Sequence, residues 1–204
     1  RGDNDVTDKN WLVYTWITGN ANNACRISGA TNAVLTNFYF GENAGAMGDY
    51  CAGSDVVLDK FTFFYAQDDD AIALKGSAID CKRWRISNLS VTGAYAAFSI
   101  GSENSLTISD ITISNVIATN CRSLMFIKQG YASTNSLYLD GVIKNVTLTG
   151  AIVNTDDFLN YPASNLIHVA CRKDGQIQGV KVSNVVARTH TTDSFSSGHY
   201  LVQF

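Results

Sequence analysis

The chain has 204 residues, of which 46% are hydrophobic and 16% are charged, and its formal net charge is −3. The length suits about one domain. No basic patch points to nucleic acid, and no apolar run is long enough for a membrane-spanning helix. A single proline, 16 glycines and frequent Asn, Ser and Thr are typical of many short strands joined by polar turns.

A short pattern recurs along the chain: apolar, any residue, Asn, apolar, any residue, apolar. Periods of 20 to 30 residues with strand chemistry indicate a solenoid. Asn tolerates left-handed backbone angles, so stacked coils would align these residues in a ladder. The third positions are separated by 23, 28, 27, 30 and 39 residues, and they are Asn37, Lys60, Asn88, Asn115, Asn145 and Asn184. Two of them, Asn88 and Asn145, begin formal glycosylation sequons, but their place in the repeat favours a structural role.

A second apolar strand follows in most coils, at 71–74, 97–100, 124–128 and 166–169. The sequence therefore predicts an all-β chain, a right-handed parallel β-helix of about six or seven coils, as a single domain over residues 1–204. The long last step predicts a loop at 154–165. An antiparallel sandwich or barrel is the competing fold, but it has no reason to reuse one turn residue in each repeat. Because the first coil has no clear cap, we expect a fragment lacking part of its N-terminal region.

The five cysteines are widely and irregularly spaced, without a C-x-x-C pair, which argues against a zinc site. One or two disulfides would leave at least one free thiol. No metal set is visible beyond a cluster of aspartates.

That cluster is three consecutive carboxylates, Asp68, Asp69 and Asp70, which lead into the alternating apolar segment 71–74. Neighbouring like charges resist joint ionisation, so one carboxyl is expected to hold its proton near neutral pH. A strand behind the cluster would fix its direction and place a proton donor beside a base. An acidic turn or a calcium-binding loop would have the same composition.

Several segments resemble glycoside hydrolase family 28, the polygalacturonases and their relatives, over about residues 45 to 130. The stretch 67–76 resembles the family block G/Q-D-D-C/A-I-A-I/L-K-S-G. One coil later, 99–102 keeps the S-I-G-S of G-H-G-x-S-I-G-S, and Ile127 and Lys128 keep the end of R-I-K. Asp49 stands about twenty residues before the triplet, where the family has the aspartate of N-T-D-G.

The resemblance implies a secreted, extracellular and monomeric polysaccharide hydrolase that needs no cofactor and uses an inverting, carboxylate-based mechanism. Its catalytic residues would be Asp49 and two of Asp68, Asp69 and Asp70. Alignment on the apolar alternation favours Asp69 and Asp70, whereas alignment on Gln67 favours Asp68 and Asp69. Asp69 or Asp70 would be the acid, and Asp49 with the remaining aspartate would orient water.

Three further residues are expected to bind substrate: Lys128 as a cation two coils beyond the aspartates, Glu103 between the aspartates and Lys128, and Tyr95 as a surface for a sugar ring. The chain also departs from the family, because the family's His is replaced around Tyr95 and the Arg of R-I-K is Phe126. In polygalacturonases those two positions help to hold the acid group of the substrate. Their loss indicates a neutral or differently charged polysaccharide. His168, on an apolar strand, is expected on the outer wall and outside the site.

Other families and functions are compatible with the same sequence features. The chain resembles the dextranase and isopullulanase family more distantly. A non-catalytic or tailspike-like carbohydrate-binding β-helix has the same scaffold, and so does a polysaccharide lyase. Lyases of this fold usually rely on basic residues and calcium, whereas this cluster is acidic.

Overall fold

The structure is a computed structural model that describes residues 16–17, 27–41, 43–44, 51–64, 66–67, 70–76, 79–102, 104–130, 140–155, 165–171, 176–189 and 200–203. In these ranges all regular structure is β-strand, and no helix is long and apolar enough to cross a membrane. The strands are β1 (Trp16–Ile17), β2 (Ile27–Phe40), β3 (Asn43–Ala44), β4 (Cys51–Phe64), β5 (Ala66–Gln67), β6 (Ile72–Leu74), β7 (Cys81–Thr92), β8 (Ala96–Ser102), β9 (Thr107–Thr119), β10 (Ser123–Gln129), β11 (Val142–Thr155), β12 (Asn165–Cys171), β13 (Ile177–Thr189) and β14 (Tyr200–Gln203).

From β2 onwards, the strands pair in parallel with the equivalent strands of neighbouring coils, and β1 pairs in parallel with β2. The long strands stack in the order β2, β4, β7, β9, β11 and β13. The short strands stack in the order β6, β8, β10, β12 and β14. This stacking confirms the predicted parallel β-helix, with six coils among the described residues. It also confirms the predicted second strand of each coil.

The long strands turn twice, at residues whose φ is positive and which lie five positions apart. Stacking places these residues in two columns that run the length of the helix. The first corner column is Asn32, Asp55, Arg83, Asp110, Asn145 and Gly179, and the second corner column is Asn37, Lys60, Asn88, Asn115, Gly150 and Asn184.

The predicted repeat is therefore correct in phase at every position except Asn145. Asn145 belongs to the first corner column, and Gly150 occupies its coil's place in the second. Both corners have the same chemistry, apolar residues around a residue that tolerates left-handed angles, so the pattern matches either one. In this coil the second corner is Gly150, which the pattern does not include, so the pattern was matched to Asn145 at the first corner instead.

Amide side chains bond between coils at both corners. Asn115 Nδ2 donates to Asn88 Oδ1 at 3.3 Å, and Asn88 Nδ2 donates to Asp59 Oδ1 at 2.7 Å. At the first corner, Asn145 Nδ2 donates to Asp110 Oδ1 at 2.9 Å. The Asn of both sequons is thus engaged in the fold, which supports the structural role expected for it.

The core is a stack of inward-facing side chains that repeat from coil to coil. Trp84 is fully buried, and its Nε1 donates to the carbonyl of Gly53 at 2.9 Å. Two aromatic pairs stack between β2 and β4, Phe38 on Phe61 at 4.9 Å and Phe40 on Phe63 at 4.8 Å between ring centroids. Such pairs stabilise neighbouring coils beyond the area that they bury.

Among the described residues, Cys81 and Cys121 in the core and Cys171 at the surface are not joined in disulfides. Burial raises the pKa of Cys121 to about 11. These three form none of the expected disulfides, and Cys25 lies outside the described residues.

Substitution at Gly150 tests the corrected register. Gly150 has a φ of 71°, which Asn tolerates, and a Cβ there would meet Asn115 Oδ1 at 3.4 Å, an ordinary contact. We expect Gly150→Asn to change the free energy of unfolding by less than about 1 kcal/mol, measured by urea unfolding. Gly53→Asn is the matched control, because its Cβ would lie 2.3 Å from the carbonyl oxygen of Ala30. That variant should lose about 2 kcal/mol or more. Equal losses would contradict the second corner column.

The first corner column also carries charge. Arg83 donates from Nε and Nη2 to the two carboxylate oxygens of Asp55, at 2.6 and 2.7 Å. This hydrogen bonding lowers the pKa of Asp55 below its ordinary 3.8. Hydrogen bonds from Asn145 and then Ser109 lower the pKa of Asp110 in the same way.

Low pH should therefore destabilise the β-helix, because it protonates the carboxylates of the first corner column. Because these carboxyls have lower pKa values when folded, their stabilisation is present above 3.8 and is lost as pH falls through the folded values. We expect the free energy of unfolding to fall between about pH 5 and pH 3, measured by urea unfolding at each pH. Asp110→Asn should flatten this fall. An unchanged pH profile in that variant would contradict the contribution of the corner.

Candidate functional site

The short strands present two sets of side chains, because alternate residues of a strand point to opposite faces. One set faces the core and includes Ile72, Phe98, Ile100, Met125, Ile127 and Ile167. The intervening residues form the outer wall, in which Ala73, Ser99, Phe126 and His168 lie in one row across β6, β8, β10 and β12. Gly101 and Lys128 are paired two residues further along β8 and β10.

Asp70 immediately precedes β6 and is 5% exposed. Its Oδ2 lies 3.7 Å from Nζ of Lys128, whose side chain is 14% exposed. Since Lys128 is on β10 and β8 lies between β10 and β6, this ion pair crosses a strand. The turn behind Asp70 is held by the backbone, where the amide of Ala71 donates to the carbonyl of Ala96 at 2.8 Å. The structure thus brings together two residues that the sequence predicted for the site.

The ring of Phe126 lies next to the Lys128 end of this ion pair. Nζ of Lys128 lies 4.5 Å from the centroid of the Phe126 ring, within the range of a cation–π interaction. His168 stacks on Phe126 with centroids 4.4 Å apart and an interplanar angle of 8°. Burial, and then the charge of Lys128, lower the pKa of His168. His168 lies on the outer wall, as predicted, but beside Lys128 rather than apart from it.

Tyr95 lies at the beginning of β8, next to the turn that holds Asp70. Its ring is covered by the guanidinium of Arg122, whose Cζ lies 4.7 Å from the ring centroid. Residue 123 pairs with residue 96, so Arg122 and Tyr95 are neighbours in successive coils. Tyr95 is half-buried, and one face of its ring is occupied by this guanidinium.

Asp49, Asp68, Asp69 and Glu103 lie outside the described residues, so four predicted site residues have no described geometry. Within the described ranges, no group of three or more His, Cys, Asp or Glu could hold a metal ion.

Three residues on the wall escaped the sequence-based selection: Ser99, Arg122 and His168. Ser99 was visible only as part of S-I-G-S, and Arg122 lies in the turn before an unremarkable strand. The alternation of β10 and β12 places both Phe126 and His168 on the outer wall. Their contact follows only from the register of the two coils, which the sequence does not fix between 128 and 166.

Comparison of the chain with protein-family models, with curated proteins and with solved structures finds no match. Function is therefore inferred from the residues on the outer wall and from the sequence motifs.

Removing the charge of Lys128 tests the arrangement of this wall. Lys128→Met should raise the pKa of His168 towards its ordinary 6.5, because the cation that opposes its protonation is lost while most of the burial remains. The measurement is an NMR titration of the imidazole. Lys144→Met, on β11 and away from the short strands, is the control and should leave the His168 titration in place. If the pKa of His168 is unchanged in Lys128→Met, the side chains of His168 and Lys128 are not close enough to interact, and the described arrangement is wrong.

Proposed function

We propose that the chain is a polysaccharide hydrolase that cleaves glycosidic bonds with carboxylates on the outer wall, in the manner of the polygalacturonase-like family. The observation that carries the proposal is the ion pair between Asp70 and Lys128. These residues match two family motifs that are distant in the sequence, and they meet across β8 at 3.7 Å.

The burial of this pair supports a chemical role over a purely structural one. Removing two charges from water offsets much of their attraction, so a buried ion pair is a weak source of stability. Charged groups held in a desolvated position with a specific partner are instead common where chemistry is done. Asp70 and Lys128 have that setting on the outer wall, beside an aromatic pair.

The arrangement supports distinct roles for the carboxylates. A cation at 3.7 Å favours the ionised form of Asp70, which suits a base that orients or activates water. The acid that protonates the leaving oxygen would then be Asp69, which is common to both alignments with the family motif. Asp49 would complete the water-binding group, and the reaction would be inverting.

The identity of residue 126 is informative about which polysaccharide the chain would cleave. Phe126 occupies the position of the family's Arg, and Lys128 is already paired with Asp70. These features support a polysaccharide other than galacturonan, bound with help from Glu103 and Tyr95. The enzyme would be secreted, monomeric and independent of cofactors.

A second candidate is a carbohydrate-binding β-helix without turnover. The same ion pair favours it, because a carboxylate and an ammonium that neutralise each other can bind hydroxyl groups without transferring a proton. The two candidates differ in whether the wild-type protein releases sugar.

The test is reducing-sugar release from a panel of plant, algal and microbial polysaccharides. Asp70→Asn should lower the rate about a thousandfold, because the amide cannot accept a proton. The matched control is Asp55→Asn, since Asp55 also pairs with a cation from the next coil but lies at the first corner column. The control should keep its activity.

Full activity in Asp70→Asn on the true substrate would remove Asp70 from the chemistry. Saturable binding by the wild type with no product would favour the second candidate. A product that absorbs in the ultraviolet would show an unsaturated sugar and hence a lyase.

A further inference from the structure

Ser99 is a polar group of the outer wall that the proposed reaction leaves unused. It is 1% exposed, and its Oγ makes no hydrogen bond within the part of the chain that the structure describes. A buried hydroxyl without a partner is costly, so a group of this kind calls for an explanation. We propose that Ser99 is a substrate-binding residue whose Oγ bonds a hydroxyl of a neutral sugar unit; this inference rests on the proposed function.

The direction of Ser99 is set by its neighbours along β8. Phe98 and Ile100 both belong to the hydrophobic core, so the side chain between them points to the outer wall. In the sheet, Ser99 lies between Ala73 on β6 and Phe126 on β10.

The ion pair between Lys128 and Asp70 spans β8, the strand that carries Ser99. Lys128 must cross β8 to reach Asp70, and its ammonium lies 4.5 Å from the ring centroid of Phe126, the register partner of Ser99. Neighbouring strands are about 4.8 Å apart, so the ammonium that lies against Phe126 is close to the row that Phe126 shares with Ser99. Because Ser99 is 1% exposed, a sugar can reach its Oγ only if a covering side chain such as that of Lys128 moves aside.

The chemistry of this place fits a neutral sugar. A serine hydroxyl both donates and accepts hydrogen bonds, as a sugar hydroxyl does. The carboxylate of an acidic sugar would have to compete with Asp70 for the Lys128 ammonium. The adjacent Phe126 offers apolar surface to the C–H face of a sugar ring.

The experiment measures binding in the Asp70→Asn protein, in which turnover is removed. The probes are neutral oligosaccharides from dextran, xylan and galactan and an acidic one, oligogalacturonate. Ser99→Ala in this background should weaken the binding of the neutral ligand about tenfold in calorimetry, as expected for the loss of one hydrogen bond. In the wild-type background the same change should raise KM with a smaller effect on kcat.

The matched control is Ser109→Ala. Ser109 is buried to the same degree on β9, but its Oγ donates to Asp110 Oδ2 at 2.9 Å. We expect this control to lower Tm and keep sugar affinity, whereas Ser99→Ala should keep Tm or raise it, because no hydrogen bond of the described fold is lost. Ser99→Cys, which keeps the volume and is only a weak donor, supplies the same measurement if the alanine variant does not fold.

The outcomes separate the two proposals. Binding of a neutral glycan that is unchanged in the Ser99 variants would overturn the role of Ser99 and leave the hydrolase proposal standing. Binding of oligogalacturonate alone by the wild-type protein, in which Asp70 still pairs with Lys128, would overturn the neutral sugar. A wild-type protein that neither binds nor cleaves any glycan of the panel would overturn the proposed function and this inference with it.

Discussion

In-register parallel stacking is the constraint on which the rest of the molecule depends. Each strand bonds to its counterpart in the next coil, about 4.8 Å away, whatever the length of chain between them. Residues at matching positions therefore become neighbours, although the sequence separates them by a full coil. The polar corners, the aromatic stacks of the core and the outer wall are all consequences of this one translation.

The corners show how the constraint tolerates variation. A position in a corner column needs a left-handed backbone, and Asn, Asp and Gly meet that need at low cost. Arg83 meets it too, and its bidentate bond to Asp55 compensates for an unfavourable residue type. The column thus selects a backbone conformation rather than one amino acid, and side-chain bonds to the next coil are added where the residue type allows them.

The sequence predicted much of this fold because the corner pattern and the second strands both repeat. It placed Asn145 in the wrong column because the two corners of a long strand follow the same rule, and only register distinguishes them. For the site, motif and alternation were enough to select Asp70 and Lys128. The stack of His168 on Phe126 was beyond prediction, because a further strand, β11, separates β10 from β12 in the chain and the sequence does not fix how β10 and β12 align. The incomplete hydrogen bonding of Ser99 is a property of packing and leaves no trace in composition.

The proposed function places two opposing requirements on the outer wall, burial of the ion pair and access from solvent. The pair between Asp70 and Lys128 is largely removed from solvent, whereas the proposed function requires that a polymer substrate reach the same groups from solvent. Ala73, Ser99 and Gly101 have small side chains or none, which leaves room on this face of β6 and β8 for the long Lys128 side chain to reach Asp70. A substrate that displaces Lys128 would gain the contact with Ser99 and lose the contact between Lys128 and Asp70. If the chain is the hydrolase proposed above, substrate binding would therefore depend on the position of one lysine, and a substrate unable to displace Lys128 would be excluded from this part of the wall.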